Sequence, residues 1–173
     1  PRGFVWLISG RVAGTPWPGV VRDTSEDLLC LQNVGVTHLI SLTEIPFPTE
    51  YAAAFNMTVS HFPIVDMEAP TEQAAIRFCI DLDHRVTGGD VVAIHCKAGL
   101  GRTGTMLAAY WIWTHRGQVS SGETIRHIRR LESGMIQSQV QLDFIKRFSA
   151  FMAEAFVSSP KPPTKDGEIN PWC

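Results

Sequence analysis

Cys96 and Arg102 stand six positions apart in His95-Cys-Lys-Ala-Gly-Leu-Gly-Arg-Thr-Gly104, and together they could do chemistry at phosphorus. A thiol attacks as its thiolate, a form favoured by nearby cations and by the positive end of a helix. Arg102 supplies the cation, and the apolar segment that opens near Thr103 supplies the helix. Between them, the amides of Lys97, Ala98, Gly99, Leu100 and Gly101 can turn inward around an anion, as strand–loop–helix junctions do. Gly99 and Gly101 permit positive φ and put no side chain between backbone and phosphate. Arg102 is planar and forked, so it can hold two phosphate oxygens at once, which Lys cannot. Thr103 offers a hydroxyl that could donate to the sulfur as it leaves in a second step. A buried strand-end Cys beside a surface Arg would explain neither glycine. His95 has two readings of equal weight, a hydrogen bond that positions Cys96 or an ordinary strand-end histidine.

The elements that must position these residues follow from periodicity. Phe4–Ile8 reads as a first strand, and Gly10 to Gly19, with Pro16 and Pro18, as an irregular loop. Thr24–Val34 is expected to be helical, ended by Gly35, and Val36–Leu42 a buried strand with Thr43 and Glu44 at its carboxyl end. A short helix over Glu50–Phe55 and a strand over Met57–Ile64 come next. A loop then carries the carboxylates Asp66 and Glu68 to a helix reaching Val86. The apolar run at 91–95 is the strand before Cys96, and the segment after Thr103 is apolar all round, as a central helix is. Ser120 and Glu123 fit a capping box for a helix with Ile125, Ile128 and Leu131 inward, and Arg126, His127, Arg129 and Arg130 as a solvated basic face. The last helix is expected to bury Val140, Phe144, Phe148, Phe151 and Ala155. Strands alternating with helices predict a three-layer α/β fold with a mainly parallel central sheet. The site then lies at the carboxyl end of a strand.

The chain has 173 residues, 45% of them hydrophobic, enough for one domain with a proper core. A formal net charge of −2 argues against general nucleic-acid binding. No apolar run approaches a membrane span, so no membrane partner is expected. No signal-peptide pattern opens the chain, and the missing initiator Met suggests numbering that starts after processing. Cys30, Cys79, Cys96 and Cys173 show neither metal-ligand nor disulfide-framework spacing, so no metal site is expected. A thiolate nucleophile needs a reducing compartment, which implies the cytoplasm. Cys30 and Cys79 are most simply core residues; a disulfide with oxidised Cys96 is the alternative.

The loop His95–Gly104 resembles the signature loop of the cysteine-dependent protein tyrosine phosphatases, most closely the small atypical dual-specificity (VH1-like) branch and its Cdc14-like relatives. Gly10-Arg-Val-Ala-Gly14, Leu39-Ile-Ser-Leu-Thr-Glu44 and Ile128-Arg-Arg-Leu131 are similar to segments of the same enzymes. The chain departs from relatives with Arg-Pro before a later glycine, having Leu131-Glu-Ser-Gly134. The resemblance implies a protein tyrosine phosphatase-like fold with residues 1–156 as catalytic domain, while residues 157–173, Pro-rich and poor in aliphatics, are expected to form a flexible tail. It favours Asp66 over Glu68 as general acid, since Asp66 lies in the loop where such enzymes carry that group, and it places Gln141 near the hydrolytic water.

By this resemblance the expected activity is two-step hydrolysis of phosphotyrosine, and of phosphoserine or phosphothreonine, on a protein substrate. No cofactor is needed, and the chain is expected to act as a monomer. Three rivals stand beside it. Lys97 is shared with phosphoinositide phosphatases, which carry a second Lys where this chain has Leu100. An RNA 5′-phosphatase fits the same loop but not the net acidity. A phosphopeptide-binding module without turnover would have no use for Cys96 or Asp66.

Overall fold

The computed structural model describes residues 2–157, and its centre is the fully buried strand Val92–His95. In chain order the elements are β1 (Val5–Ile8), β2 (Val12–Thr15), α1 (Thr24–Asn33), β3 (His38–Ser41), α2 (Thr49–Ala53), β4 (Thr58–His61), α3 (Glu72–Thr87), β5 (Val92–His95), α4 (Gly101–Thr114), α5 (Ser121–Leu131) and α6 (Gln139–Val157). Of the expected tail, all but residue 157 lies outside the described residues. Among those described, the sheet has five strands in the order β1-β2-β5-β3-β4. β2, β5, β3 and β4 run parallel, and β1 turns back antiparallel on β2.

Alternation along the strands builds a core on each face of the sheet. Val12, Ile40, Val92 and Ile94 point toward α3, α4 and α6, where they meet Cys79, Leu82, Met106, Tyr110, Phe144 and Phe148. Ala13, Leu39 and Ala93 point the other way, onto Leu28 and Leu31 of α1 and Ala52 of α2. The expected three layers and mainly parallel sheet are therefore present. α4 is buried without a break from Gly101 to Tyr110, since it lies on β2 and β5 and is wrapped by α3, α5 and α6.

Three expectations need correction. The loop read over Gly10–Gly19 contains β2, a central strand. Val12-Ala-Gly-Thr15 has little local strand preference, yet it pairs with β5 from Val12↔Val92 to Thr15↔His95, and pairing outweighs propensity. The buried side of α6 is Phe144, Ile145, Phe148 and Met152, while Val140 and Phe151 face water. The basic side of α5 is partly structural. Arg129 donates to the carbonyls of Met135 and Ile136 at 3.2 and 3.0 Å, fixing the connection to α6, and His127 stacks on Trp111.

Caps set the helix starts. Thr71 accepts from the Ala74 amide ahead of α3, and the Ser120–Glu123 capping box opens α5 as expected. No helix among the described residues is long and apolar enough to cross a membrane.

Candidate active site

Parallel register brings two strand ends to one level. Ser41 of β3 is aligned with His95 of β5, so Thr43 and Glu44 leave the sheet beside Cys96. β5 delivers Cys96 into a loop that closes on the first turn of α4. That helix starts at Gly101 rather than near Thr103, which puts Arg102 and Thr103 inside its first turn. Its N-cap, Leu100, is apolar and makes no side-chain hydrogen bond to the free amides of that turn.

Cys96 is 3% exposed, and the Thr103 hydroxyl donates to its Sγ at 3.1 Å. Gly99 has φ of +74°, and a Cβ there would lie 2.6 Å from the Pro16 nitrogen and 2.8 Å from the Thr15 carbonyl carbon. The loop thus passes against the end of β2 at a spacing only glycine permits, and it is pinned there by the Trp17 amide donating to the Lys97 carbonyl at 3.1 Å. Gly101 is different from expectation: it is helical, without positive φ, and what it provides is close approach to the side chains of Gln137 and Gln141. Lys97 and Ala98 are exposed at the mouth, while Leu100 packs on the core.

Arg102 is 3% exposed and is the hub of the site. Its Nη1 donates to Glu44 Oε2 and to the Ile64 carbonyl, both at 2.9 Å, and its Nη2 pairs with Asp66 Oδ1 at 3.1 Å. Its buried Nε–H has no hydrogen-bond partner among the described residues, which leaves that donor to an oxyanion. Asp66, thirty residues before Cys96 in the chain, is thereby brought to the loop, and its own amide donates to Glu44 Oε1 at 3.0 Å. The sequence pattern gives Glu44 no role beyond following a strand. Its position at the carboxyl end of a buried strand was the available signal. Its own backbone amide, the Arg102 guanidinium and the Asp66 amide hold its carboxyl below the ordinary carboxylate range.

The Asp66 loop is tied from the other side as well. Met67, with φ of +64°, has its carbonyl bound by the Ser138 hydroxyl at 2.6 Å. Gln141 is fully buried: its Oε1 accepts from the Gln137 and Ser138 amides, and its Nε2 donates to the Glu68 carbonyl at 3.3 Å. Glu68 therefore joins this network through its backbone. His95 is buried, hydrogen-bonded from Nδ1 to the Cys96 carbonyl at 3.3 Å, and set edge-on against Trp17 and Phe47. Burial lowers its pKa to about 4, so the ring is neutral.

A family model described as "Polymorphic toxin system, DSP-PTPase phosphatase" matches residues 13–116, more than half of the chain and all of the loop from Cys96 to Arg102. The chain belongs to this phosphatase family. Among relatives of this DSP-PTPase chain, the tyrosine-protein phosphatase CDC14 of Candida albicans is 32% identical over 119 residues, covering 66% of this chain. The human dual specificity protein phosphatase CDC14C is 30% identical over 105 residues, 61% of this chain. The chain spans only 22% of the length of either relative. In three dimensions it is similar to Tk-PTP in its active form, with a TM-score of 0.74 and 26% identity over 86% of this chain and 97% of that one. PTPMT1 shares the fold at a TM-score of 0.73 and 21% identity, over 90% of this chain and 99% of that one.

Proposed function

We propose that this chain hydrolyses phosphate monoesters on protein side chains, phosphotyrosine first and phosphoserine or phosphothreonine as well, through a cysteinyl-phosphate. The observation that carries the reading is Arg102, a buried guanidinium beside the thiol loop that is joined at 3.1 Å to the Asp66 carboxylate. Cation, sulfur and acid meet at one mouth.

In the first step the Cys96 thiolate Sγ bonds to phosphorus as the bond to the ester oxygen breaks, and Asp66, in its protonated form, gives that oxygen its proton. In the second, Asp66 takes a proton from water, whose oxygen bonds to phosphorus as the sulfur leaves. The Thr103 hydroxyl, already 3.1 Å from Sγ, stabilises the departing thiolate. Loop amides and the Arg102 Nε–H serve the charge that gathers on the equatorial oxygens, the preorganised electrostatics that dominate such reactions. His95 and Glu44 act by position, the one under the Cys96 carbonyl and the other on Arg102 and the Asp66 amide. Gln141 holds the Asp66 loop near the helix start, close to where water must enter. Because the sulfur must stay reduced, we assign the chain to a reducing compartment such as the cytoplasm.

A panel of phosphotyrosine and phosphoserine peptides, phosphoinositide vesicles and a 5′-phosphorylated RNA tests the reading. Fastest turnover of the phosphopeptides is expected. Preference for lipid or RNA contradicts it, as does tight phosphopeptide binding without phosphate release.

A further inference from the structure

Beside the Arg102 cradle lies a groove of about 380 Å³ walled by Trp17, Val20 and Ile45 and sharing Lys97, Glu44 and Arg102 with the phosphate site. This volume is in the range of small-molecule pockets, which are apolar with few polar groups. Val20 and Ile45 are 50% and 77% exposed, and Val65 and Met67, the neighbours of Asp66, whose carboxylate pairs with Arg102, are also in water. Scattered surface hydrophobics are ordinary, but a set gathered round one opening marks a contact surface.

The wall is held in place before anything binds. Trp17 is packed against Phe47 and His95, and its amide is bound to the Lys97 carbonyl. The Val20 amide donates to the Trp17 carbonyl, and the Gly19 amide to buried Asp27 of α1 at 3.0 Å. A preformed apolar wall spends no ordering entropy on its ligand.

Charge selects the occupant. Anything in the groove with its phosphoryl group on the loop must be part of the same molecule. Lys97 and Arg102 are the cations among the residues lining the groove, and Arg102 is committed to Glu44 and Asp66. A headgroup with further phosphates would find too few cations and would meet the Glu44 carboxylate. An uncharged apolar side chain has no such conflict, and successive residues of an extended peptide advance by about 3.3–3.6 Å, a short step from cradle to groove. Resting on the protein phosphatase reading above, we propose that this groove receives a large apolar side chain one or two residues from the phosphorylated one, and that it makes the enzyme selective for such phosphopeptides.

The test uses phosphotyrosine peptides carrying Leu, Ala or Glu at each of the two positions on either side, with kcat/KM read from phosphate release. At one position Leu should exceed Glu by at least about tenfold, the scale on which apolar pockets discriminate. In Ile45→Glu and, separately, Val20→Glu that ratio should fall toward unity. Para-nitrophenyl phosphate, too small to reach from cradle to groove, is measured on the same samples. Failure of the unaltered enzyme to hydrolyse it overturns the phosphatase reading itself. Its hydrolysis together with equal rates on all peptides overturns only the groove assignment, as does a Leu preference that survives both variants. Faster turnover of phosphoinositide vesicles than of any peptide gives the groove to lipid and overturns the proposal too.

Discussion

Glu44 and Arg102 are joined by a 2.9 Å ion pair although 58 residues separate them in the chain, and the other oxygen of the same carboxylate accepts the Asp66 amide at 3.0 Å. One side chain thus sets both the phosphate-binding guanidinium and the loop of the proposed acid. Glu44→Gln keeps the shape and removes the charge, so kcat/KM for an aryl phosphate should fall about tenfold, on the scale of one charge-assisted hydrogen bond. Because the Glu44 side chain is half exposed, thermal stability should barely move. A large drop in melting temperature with unchanged turnover would show that the pair serves folding instead.

Asp66→Ala removes the proposed proton donor. General acid catalysis contributes about 10²–10⁴-fold, and the loss should be large for phosphotyrosine peptides and small for para-nitrophenyl phosphate, whose leaving group needs no proton. Equal losses on both substrates would reduce Asp66 to a partner of Arg102.

Gly99→Ala puts a methyl group into backbone at 2.6 Å and forces φ of +74° on an L residue. A left-handed conformation alone costs roughly 1–2 kcal/mol, and the clash with Pro16 adds to it. We expect a loss of about 2–3 kcal/mol in urea unfolding together with turnover reduced more than about tenfold. A variant of full stability and full activity would mean that the loop need not lie against β2.

How much of this was legible beforehand differs residue by residue. Cys96, Arg102 and Thr103 were found because strand, glycines and helix start are contiguous in sequence, and the hydroxyl–sulfur contact followed from that spacing. β2 was missed because Gly14 and Pro16 make its stretch look like a loop, and the pairing with β5 that makes it a strand lies about eighty residues away. Glu44 was seen only as the residue after a strand, since nothing local tells a carboxylate which guanidinium it will face. The apolar pattern of the last helix points Val140 and Phe151 to the core, yet both are exposed, because an apolar residue on a helix says nothing of where its neighbours end. Local chemistry was readable; whatever depended on register between distant strands was not.

Two buried histidines, His38 and His95, are kept neutral by the fold. Burial lowers His38 and His95 from the ordinary 6.5 to about 4, the former also because Arg85 lies beside it, and burial with Arg130 nearby lowers His127. Between pH 6.5 and about 4 the unfolded chain takes up protons that the folded one refuses. Stability is therefore full above pH 6.5 and is lost as pH falls through that window, by up to about 1.4 kcal/mol per pH unit for each of His38 and His95. The depressed carboxylates, Glu44, Glu72, Glu123 and Asp143, add their loss only below their ordinary values near 4. Urea unfolding between pH 4.5 and 6.5 should show the decline, and His38→Gln should make it shallower. A flat profile there would mean the rings are protonated in the native state.

The covalent step is tested most directly by trapping. The enzyme is mixed with a ³²P-labelled phosphotyrosine peptide, quenched in denaturant during turnover, digested and mapped. The account predicts label on the peptide that contains Cys96, absent in Cys96→Ser and unaffected by EDTA. Label on another residue, or steady phosphate release with no labelled enzyme at any time, would contradict it.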